Sequence, residues 1–125
     1  MAEESKEKYF ANLPFKEETV RDVIASLKDN GYFGKADFDP KTVDLAEMIA
    51  PPNQMRGVRI VGLTEGQGKH KPEHMFVMQE WDVPENEVFV TIDDTAPLAG
   101  SVATYRFQRA EGGLKLVQRY VHARS

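Results

Sequence analysis

The spacing of apolar residues changes from a helical period to a strand period at Pro51-Pro52, and this change constrains the fold more than any other feature. Before it, one apolar stripe follows the helical i, i+3, i+4, i+7 pattern, made of Val20, Val23, Ile24 and Leu27. The stripe predicts an amphipathic helix over 17–29, which Asn30-Gly31 would end. A second, shorter helix is expected from Asp39-Pro40, as N-cap and first helical residue, to Ala50 before the two prolines.

Beyond the prolines, five short runs alternate or are rich in β-branched residues, and turn-forming residues separate them. They cover 58–63, 75–81, 88–92, 102–107 and 114–121. Segments long enough for a crossover helix are missing between them, so neighbouring strands should be antiparallel. Helices followed by strands are typical of α+β proteins. We therefore predict N-terminal helices packed on one face of a curved, four- to five-stranded antiparallel sheet.

The chain has 125 residues, 41% of them hydrophobic, and shows no internal repeat or linker. One α+β domain over 1–125 is expected, with 1–8 frayed. The lack of cysteine excludes a disulfide scaffold, a thiolate zinc site and a cysteine nucleophile. No apolar run reaches about 18 residues, so no membrane span is predicted. The charged N-terminal residues lack the apolar core of a signal peptide, so a cytoplasmic location is expected. A signal peptide that had already been removed would leave the same N-terminal sequence.

The net charge of −4 is unevenly distributed along the chain. Residues 1–100 carry 19 acidic and 11 basic side chains, whereas 101–125 carry five basic ones and a single acid, Glu111. A protein of this acidity lacks the broad basic surface that nucleic acids require, so nucleic-acid binding is not expected. The unevenness draws attention to the last two predicted strands.

Basic residues alternate with valines along these last strands, which predicts a positively charged sheet face. The face carries Arg106, Lys115 and Arg119. One interpretation is an ordinary solvated surface that discourages edge pairing. The other is a docking surface, either for an acidic protein or for a second copy of the chain in a homodimer.

Residues 100–125, GSVATYRFQRAEGGLKLVQRYVHARS, resemble the closing hairpin of the nuclear transport factor 2-like superfamily, which includes ketosteroid isomerases and polyketide cyclases. Members often close with a long strand, a short glycine-containing turn and an aromatic-bearing strand that ends in His or Ser. Leu114 and Leu116 stand where a tryptophan is common in the superfamily. The resemblance implies a cone of helices on a curved sheet with a pocket inside. It implies no activity, because the fold hosts many unrelated functions.

Strand parity in the predicted final hairpin assigns several polar and aromatic side chains to the face that meets the helices. Together with Trp81, these could line a pocket for a small apolar ligand: Tyr105, Gln118 and Tyr120. In a catalytic interpretation, His122 is the general base and Tyr105 or Tyr120 donates to an oxyanion. In a structural interpretation, the tyrosines pack with their hydroxyls at the rim and His122 lies near a frayed terminus.

Carboxylates near predicted strand ends are the other candidate acid–base groups, namely Glu80 and Asp93-Asp94. A catalytic role for Asp93 would require burial, which raises the pKa of a carboxyl group toward neutral pH. Because the two aspartates precede Thr95-Ala96-Pro97, local hydrogen bonds within a turn are the simpler interpretation.

The glycine-rich, basic loop 64–72 invites comparison with a phosphate-binding loop. It lacks the GxxxxGK[ST] spacing and no helix follows it, so we expect a flexible strand connector. His70 and His74 have the i, i+4 spacing of zinc ligands on a helix, but Pro72 would break such a helix. No third ligand is evident, so no metal site is predicted.

Two functions from different classes follow. The first is a non-enzymatic binding or interaction module, which could dimerise through the basic face. The second is a small cofactor-free isomerase, dehydratase or cyclase that uses the cavity between helices and sheet. A deep pocket holding a buried carboxylate opposite a tyrosine or histidine would favour the enzyme. A cone filled by aromatic side chains would exclude it, with Trp81, Phe76, Phe89 and Phe107 as the candidates.

Overall fold

The computed structural model describes residues 15–48, 59–72, 74–95 and 100–124, so the predicted fraying of 1–8 lies outside the described residues. Helix α1 spans Glu17–Asp29, as predicted. The four residues of its apolar stripe are at most 1% exposed. The helix ends at Asn30, and Gly31 follows with a φ of 84°, the left-handed conformation that glycine adopts without strain.

The second predicted helix is reduced to a single turn, α2, at Leu45–Met48. Asp39 does cap a turn, because its carboxylate accepts the Lys41 N–H at 2.9 Å, but the helix begins only at Leu45. The Val43 N–H closes this turn on the Asp39 carbonyl at 2.8 Å, and Arg21 of α1 donates to the carbonyls of Pro40 and Val43 at 3.2 and 2.9 Å, so these carbonyls bond to α1 where a longer helix would continue. The predicted continuation to Ala50 lies outside the described residues. Neither described helix is long and apolar enough to cross a membrane.

Six strands follow in chain order: β1 Ile60–Glu65, β2 Lys69–His70, β3 Trp81–Asp82, β4 Glu87–Thr95, β5 Gly100–Ala110 and β6 Gly113–Arg124. Four of them form an antiparallel sheet in the order β1-β4-β5-β6. Strands β2 and β3 form a separate antiparallel pair, which we call the ribbon. The α+β class and the antiparallel sheet are confirmed. The expectation of several helices on that sheet is wrong for the described residues, where α1 is the only helix longer than one turn.

The predicted strand over 75–81 is also wrong except at its end. A turn forms at Met75 and Phe76, closed by the Val77 N–H donating to the carbonyl of His74 at 3.0 Å. Backbone groups that bond to each other within this turn do not form hydrogen bonds with a neighbouring strand. Only Trp81 of this run joins a strand, by pairing with His70.

The four-stranded sheet has two faces with different neighbours. The helix face packs against α1 and holds the main core, including Val88, Val90, Ile92, Ala103, Tyr105 and Phe107. The ribbon face carries the alternate residues of β4 and β5, including Glu87, Phe89, Thr91, Asp93, Thr104 and Arg106. His70 of the ribbon lies 5.8 Å from Phe89, measured between ring centroids, so the ribbon covers part of this second face.

A β-bulge in β6 decides which side chains reach each face. Arg106 pairs with Gln118, whereas the next residue of β5, Phe107, pairs with Leu116. The extra residue between them is Val117, and such an insertion exchanges the two faces of the strand beyond it. The exchange lasts as far as His122, a second extra residue, since Ala103 pairs with Val121 and Val102 pairs with Ala123. After the bulge, Tyr120 therefore lies on the ribbon face, opposite Thr104.

Candidate functional site

The bulge separates residues that the sequence analysis placed together. Gln118, Tyr120 and His122 lie on the ribbon face, whereas Tyr105 points into the core of the helix face, where it is 6% exposed. The predicted common pocket of these four residues is therefore wrong. The reason is that alternation along a strand assigns faces correctly only if no residue is inserted.

Trp81 joins the three residues on the ribbon face, as part of an aromatic cluster. Its ring centroid lies 6.0 Å from that of Tyr120 and 5.6 Å from that of His122. The Tyr120 hydroxyl donates to Gln118 Oε1 at 2.8 Å. Three of the four predicted ligand-binding residues, Trp81, Gln118 and Tyr120, thus come together, with the catalytic candidate His122 beside them.

Beneath this cluster runs a continuous line of hydrogen bonds, which we call the histidine–threonine chain. Its members are Thr64, His70, Thr91, Thr104 and His122. From Thr64 Oγ1 the bonds run to His70 Nδ1 at 2.9 Å, from His70 Nε2 to Thr91 at 2.8 Å, from Thr91 to Thr104 at 2.6 Å, and from Thr104 to His122 Nε2 at 2.7 Å. His70, Thr91 and Thr104 are fully buried.

Both histidines of this chain have a lowered pKa in the folded protein. Burial, with a smaller effect from the neighbouring His122 ring, lowers the pKa of His70 to about 4. Burial also lowers the pKa of His122, with a smaller effect from the nearby His74. His70 is therefore uncharged at neutral pH, which suits a side chain enclosed by Trp81 and Phe89.

This buried histidine makes a testable contribution to acid sensitivity. The unfolded chain binds a proton at His70 below a pKa of 6.5, but the folded chain does so only near pH 4, so stability falls as pH drops through this window. Between about pH 7.5 and about pH 4.5, we expect the free energy of unfolding to fall by roughly 2–3 kcal/mol more in the wild type than in His70→Gln. Urea unfolding at both pH values measures the two losses. If both proteins lost the same free energy of unfolding, the lowered pKa of His70 would be contradicted.

His74 and Asp93 form a second polar contact on the ribbon face. His74 Nδ1 accepts the Phe76 N–H at 3.2 Å, which places the ring hydrogen on Nε2, where it is donated to Asp93 Oδ2 at 2.9 Å. Arg59 Nη1 lies 3.7 Å from the same oxygen. The turn interpretation of Asp93 is wrong, because this residue lies within β4, pairs with Val102 and uses its carboxylate for the contact with His74.

The predicted basic face does not form. Arg106 lies on the ribbon face, where Nε and Nη2 donate to the two carboxylate oxygens of Glu87 at 2.5 and 2.7 Å. Arg119 pairs in register with Tyr105 and lies on the helix face, because it follows the bulge. Lys115 precedes the bulge and is exposed opposite Gln108. The three cations therefore do not share one sheet face, because Arg106 and Lys115 lie on the ribbon face and Arg119 lies on the helix face.

A pocket of about 350 Å³ opens on the helix face at the end of α1. Its described lining residues are Leu27, Asn30, Gly31, Tyr32, Ser101, Tyr105, Leu116 and Arg119. Arg119 Nε donates to the Tyr105 hydroxyl at 3.2 Å, and its guanidinium carbon lies 5.8 Å from the centre of the same ring. These two contacts hold the cation at the pocket wall.

No pattern in the sequence indicates the histidine–threonine chain. The spacing of His70 and His74 suggests only a metal pair, and their nitrogens have different partners in the structure. Thr91 and Thr104 gave no signal, because threonine is common in strands of every kind. The loop 64–72 is a strand connector, as predicted, since β1 and β2 flank a bend at 66–68.

Comparison with protein-family models, curated proteins and solved structures finds no match to this chain. The resemblance to the nuclear transport factor 2-like superfamily stays a prediction. Function must therefore be inferred from the pocket and the ribbon face themselves.

Proposed function

We propose that this chain is a small-ligand binding module and that its ligand is a small organic acid with an apolar or aromatic body. The observation that carries the proposal is the pocket of about 350 Å³ with the Arg119 guanidinium in its wall. Pockets that hold small ligands begin at roughly 300 Å³, so this one suits a molecule of about one ring rather than a large cofactor.

The pocket wall combines apolar surface with a few polar groups. Leu27 and Leu116 supply aliphatic surface, and Tyr32 and Tyr105 supply rings whose centroids are 6.2 Å apart at an interplanar angle of 79°. Ser101 adds a hydroxyl among the lining residues. Small-ligand sites commonly have this composition, in which the apolar wall contributes affinity and the polar groups orient the ligand.

Arg119 supports an anionic group on the ligand. Only its Nε is used by Tyr105, and a guanidinium also has four N–H groups on its terminal nitrogens that can grip a carboxylate with two parallel bonds. Among the described residues, no acidic side chain forms an ion pair with Arg119. A ligand carboxylate would supply the complementary charge.

Binding rather than catalysis is proposed for this pocket because of its chemistry. Its lining, over the described residues, contains neither a carboxylate nor an imidazole that could move a proton at neutral pH. The enzymatic alternative required Tyr105, Tyr120 and His122 to act in one cavity, and the sheet separates the first from the other two. The predicted superfamily resemblance is compatible with the proposal, since it implies a pocket between helix and sheet.

Benzoate is a suitable probe, because it pairs one carboxylate with one ring. At ten times its dissociation constant, benzoate should stabilise the wild type by about 1.4 kcal/mol, which corresponds to a rise of about 5 °C in the melting temperature. Benzamide, which has the same shape without the charge, should bind less tightly. Thermal unfolding with increasing concentrations of each compound measures the difference.

Arg119→Gln should weaken benzoate binding at least tenfold, because it removes charge-assisted bonds worth about 1.5–3 kcal/mol. Lys115→Gln is the matched control, since it removes a cation from the same strand on the other side of the bulge. It should leave benzoate binding unchanged. The proposal would be overturned if benzoate and benzamide raised the melting temperature equally, or if the two variants lost the same affinity for benzoate.

A further inference from the structure

In the histidine–threonine chain on the ribbon face, all hydrogen-bond donors must point the same way along the line at any one time. Thr91 and Thr104 each have one hydroxyl hydrogen and a partner on either side, so each donates to one neighbour and accepts from the other. An uncharged imidazole likewise donates through one nitrogen and accepts through the other. The orientation of one member therefore fixes the orientation of all the others.

Two arrangements satisfy these bonds. In the outward arrangement, Thr64 donates to His70 Nδ1 and His70 Nε2 donates to Thr91. Each threonine then donates to the next member, and His122 Nε2 accepts the last hydrogen bond. In the inward arrangement, His122 donates from Nε2, and His70 accepts at Nε2 and carries its hydrogen on Nδ1. The same heavy-atom positions serve both, since all four distances lie between 2.6 and 2.9 Å.

The outward arrangement is favoured while both imidazoles are uncharged. Thr64 makes a side-chain hydrogen bond to His70, and no second partner for its hydroxyl exists among the described residues. In the outward arrangement this hydroxyl donates to His70 Nδ1. In the inward arrangement it accepts from Nδ1 and its own hydrogen has no protein acceptor, which is costly for a partly buried hydroxyl.

We propose that His122 controls the position of the proton on the buried His70 through Thr104 and Thr91. Protonated His122 carries hydrogen on both nitrogens, so Nε2 can only donate to Thr104. The hydroxyls of Thr104 and Thr91 then reverse, and His70 exchanges its Nε2–H form for its Nδ1–H form. The protons balance: one proton from solvent is added to His122, the hydroxyls of Thr104 and Thr91 rotate and keep their own hydrogens, and His70 loses the proton on Nε2 and gains one on Nδ1 by exchange with solvent.

The half-exposed ring of His122 is the natural place for a proton to enter, since every other member except Thr64 is fully buried. The charged or titratable groups on the neighbouring elements are His74 with Asp93 and Arg59, the Lys69–Glu80 pair, the Arg106–Glu87 pair, and Tyr120. Of these, His74 acts on His122 directly and opposes its protonation. The inference does not depend on the pocket of the helix face.

Imidazole nitrogen NMR on the full chain tests the proposal, because it distinguishes the two uncharged forms of a histidine ring. As the pH is lowered from about 8 through the midpoint of His122, the wild type should show His70 changing from the Nε2–H to the Nδ1–H form at that same midpoint. His70 itself stays uncharged over most of this range. A His70 form that does not change while His122 titrates would overturn the proposal.

Two variants complete the test. Thr104→Val keeps the side-chain shape and removes the hydroxyl, so His70 should keep the Nε2–H form even when His122 is protonated. His122→Phe keeps a ring beside Trp81 and removes the titrating group, and again His70 should keep the Nε2–H form. The His122 variant changes only the half-exposed end of the line, so it remains informative if Thr104→Val fails to fold. A pH-dependent change of the His70 form in either variant would contradict control by His122.

Discussion

Replacing Arg106 with alanine is expected to lower the free energy of unfolding by about 3 kcal/mol at neutral pH. Its partner Glu87 is only 3% exposed, and two donors of Arg106 bind both of its carboxylate oxygens. Gln108 reaches the same carboxylate at 3.4 Å, a bond too long to replace the lost ones. The alanine variant leaves a buried carboxylate without its cation, and this is the source of the large effect.

Arg109→Ala is the matched control for this prediction. Arg109 belongs to the same strand and pairs with Glu65, but both side chains are substantially exposed, 44% and 27%. Exposed ion pairs contribute at most about 1 kcal/mol. Chemical denaturation of both variants measures the difference, and equal losses would show that the buried pair has no special role.

The pH dependence of the Arg106 variant follows from the same contact. Hydrogen bonds from Arg106 lower the pKa of Glu87 in the folded protein. In the wild type, this contribution to stability is complete above the unfolded pKa of about 4.5 and is lost as pH falls through the folded pKa. The variant lacks the contribution, so its deficit relative to the wild type should shrink as pH falls below about 4.5. A deficit that stays constant or grows in acid would contradict this account.

Replacing Gly66 with alanine is expected to lower the free energy of unfolding by about 3 kcal/mol or more. A Cβ at this position would lie 2.1 Å from the carbonyl oxygen of Glu85 and 2.8 Å from that of Pro84. Both neighbours are backbone atoms, so relief requires the chain to move. The bend at 66–68 is joined to Val83 by two hydrogen bonds, of 2.8 and 2.9 Å, and this movement would stretch them.

Gly112→Ala provides the comparison, because it introduces strain without a clash. Gly112 has a φ of 86° and open space around the added Cβ, so the cost is that of a left-handed alanine, about 1–2 kcal/mol. Trp81 is the single tryptophan and lies in the ribbon, so its native fluorescence should change in the Gly66 variant and not in the Gly112 variant. A smaller stability loss in the Gly66 variant than in the Gly112 variant would contradict the close approach.

Local patterns predicted the elements that depend on local forces. The stripe of α1 was recognisable because one face of a helix repeats within a few residues, and the glycine after it supplied the stop. The second helix was over-predicted, because its capping signal at Asp39 is real but Arg21, distant in sequence, bonds the next carbonyls. The run 75–81 was over-predicted for a related reason, since a local turn uses its backbone groups.

The candidate sites were predictable only in part. Trp81, Gln118 and Tyr120 were correctly grouped as neighbours, but the face on which they meet was wrong. The Arg119 pocket was not predicted, because its residues come from the end of α1 and from two strands far away in the chain. The histidine–threonine chain joins β1, the ribbon, β4, β5 and β6, and no spacing in the sequence shows such a line.

The sequence by itself determined the α+β class, helix α1 and the antiparallel order of its closing strands, because each rests on a repeating apolar pattern or a turn residue. The tertiary structure alone decided which face each residue of β6 occupies. The inserted residue Val117 exchanges the two faces of the strand between it and the second insertion, His122. Val117 is apolar and exposed, and in the sequence it looks no different from a residue of a regular strand. That exchange places Arg119 in the pocket and His122 at the end of the histidine–threonine chain.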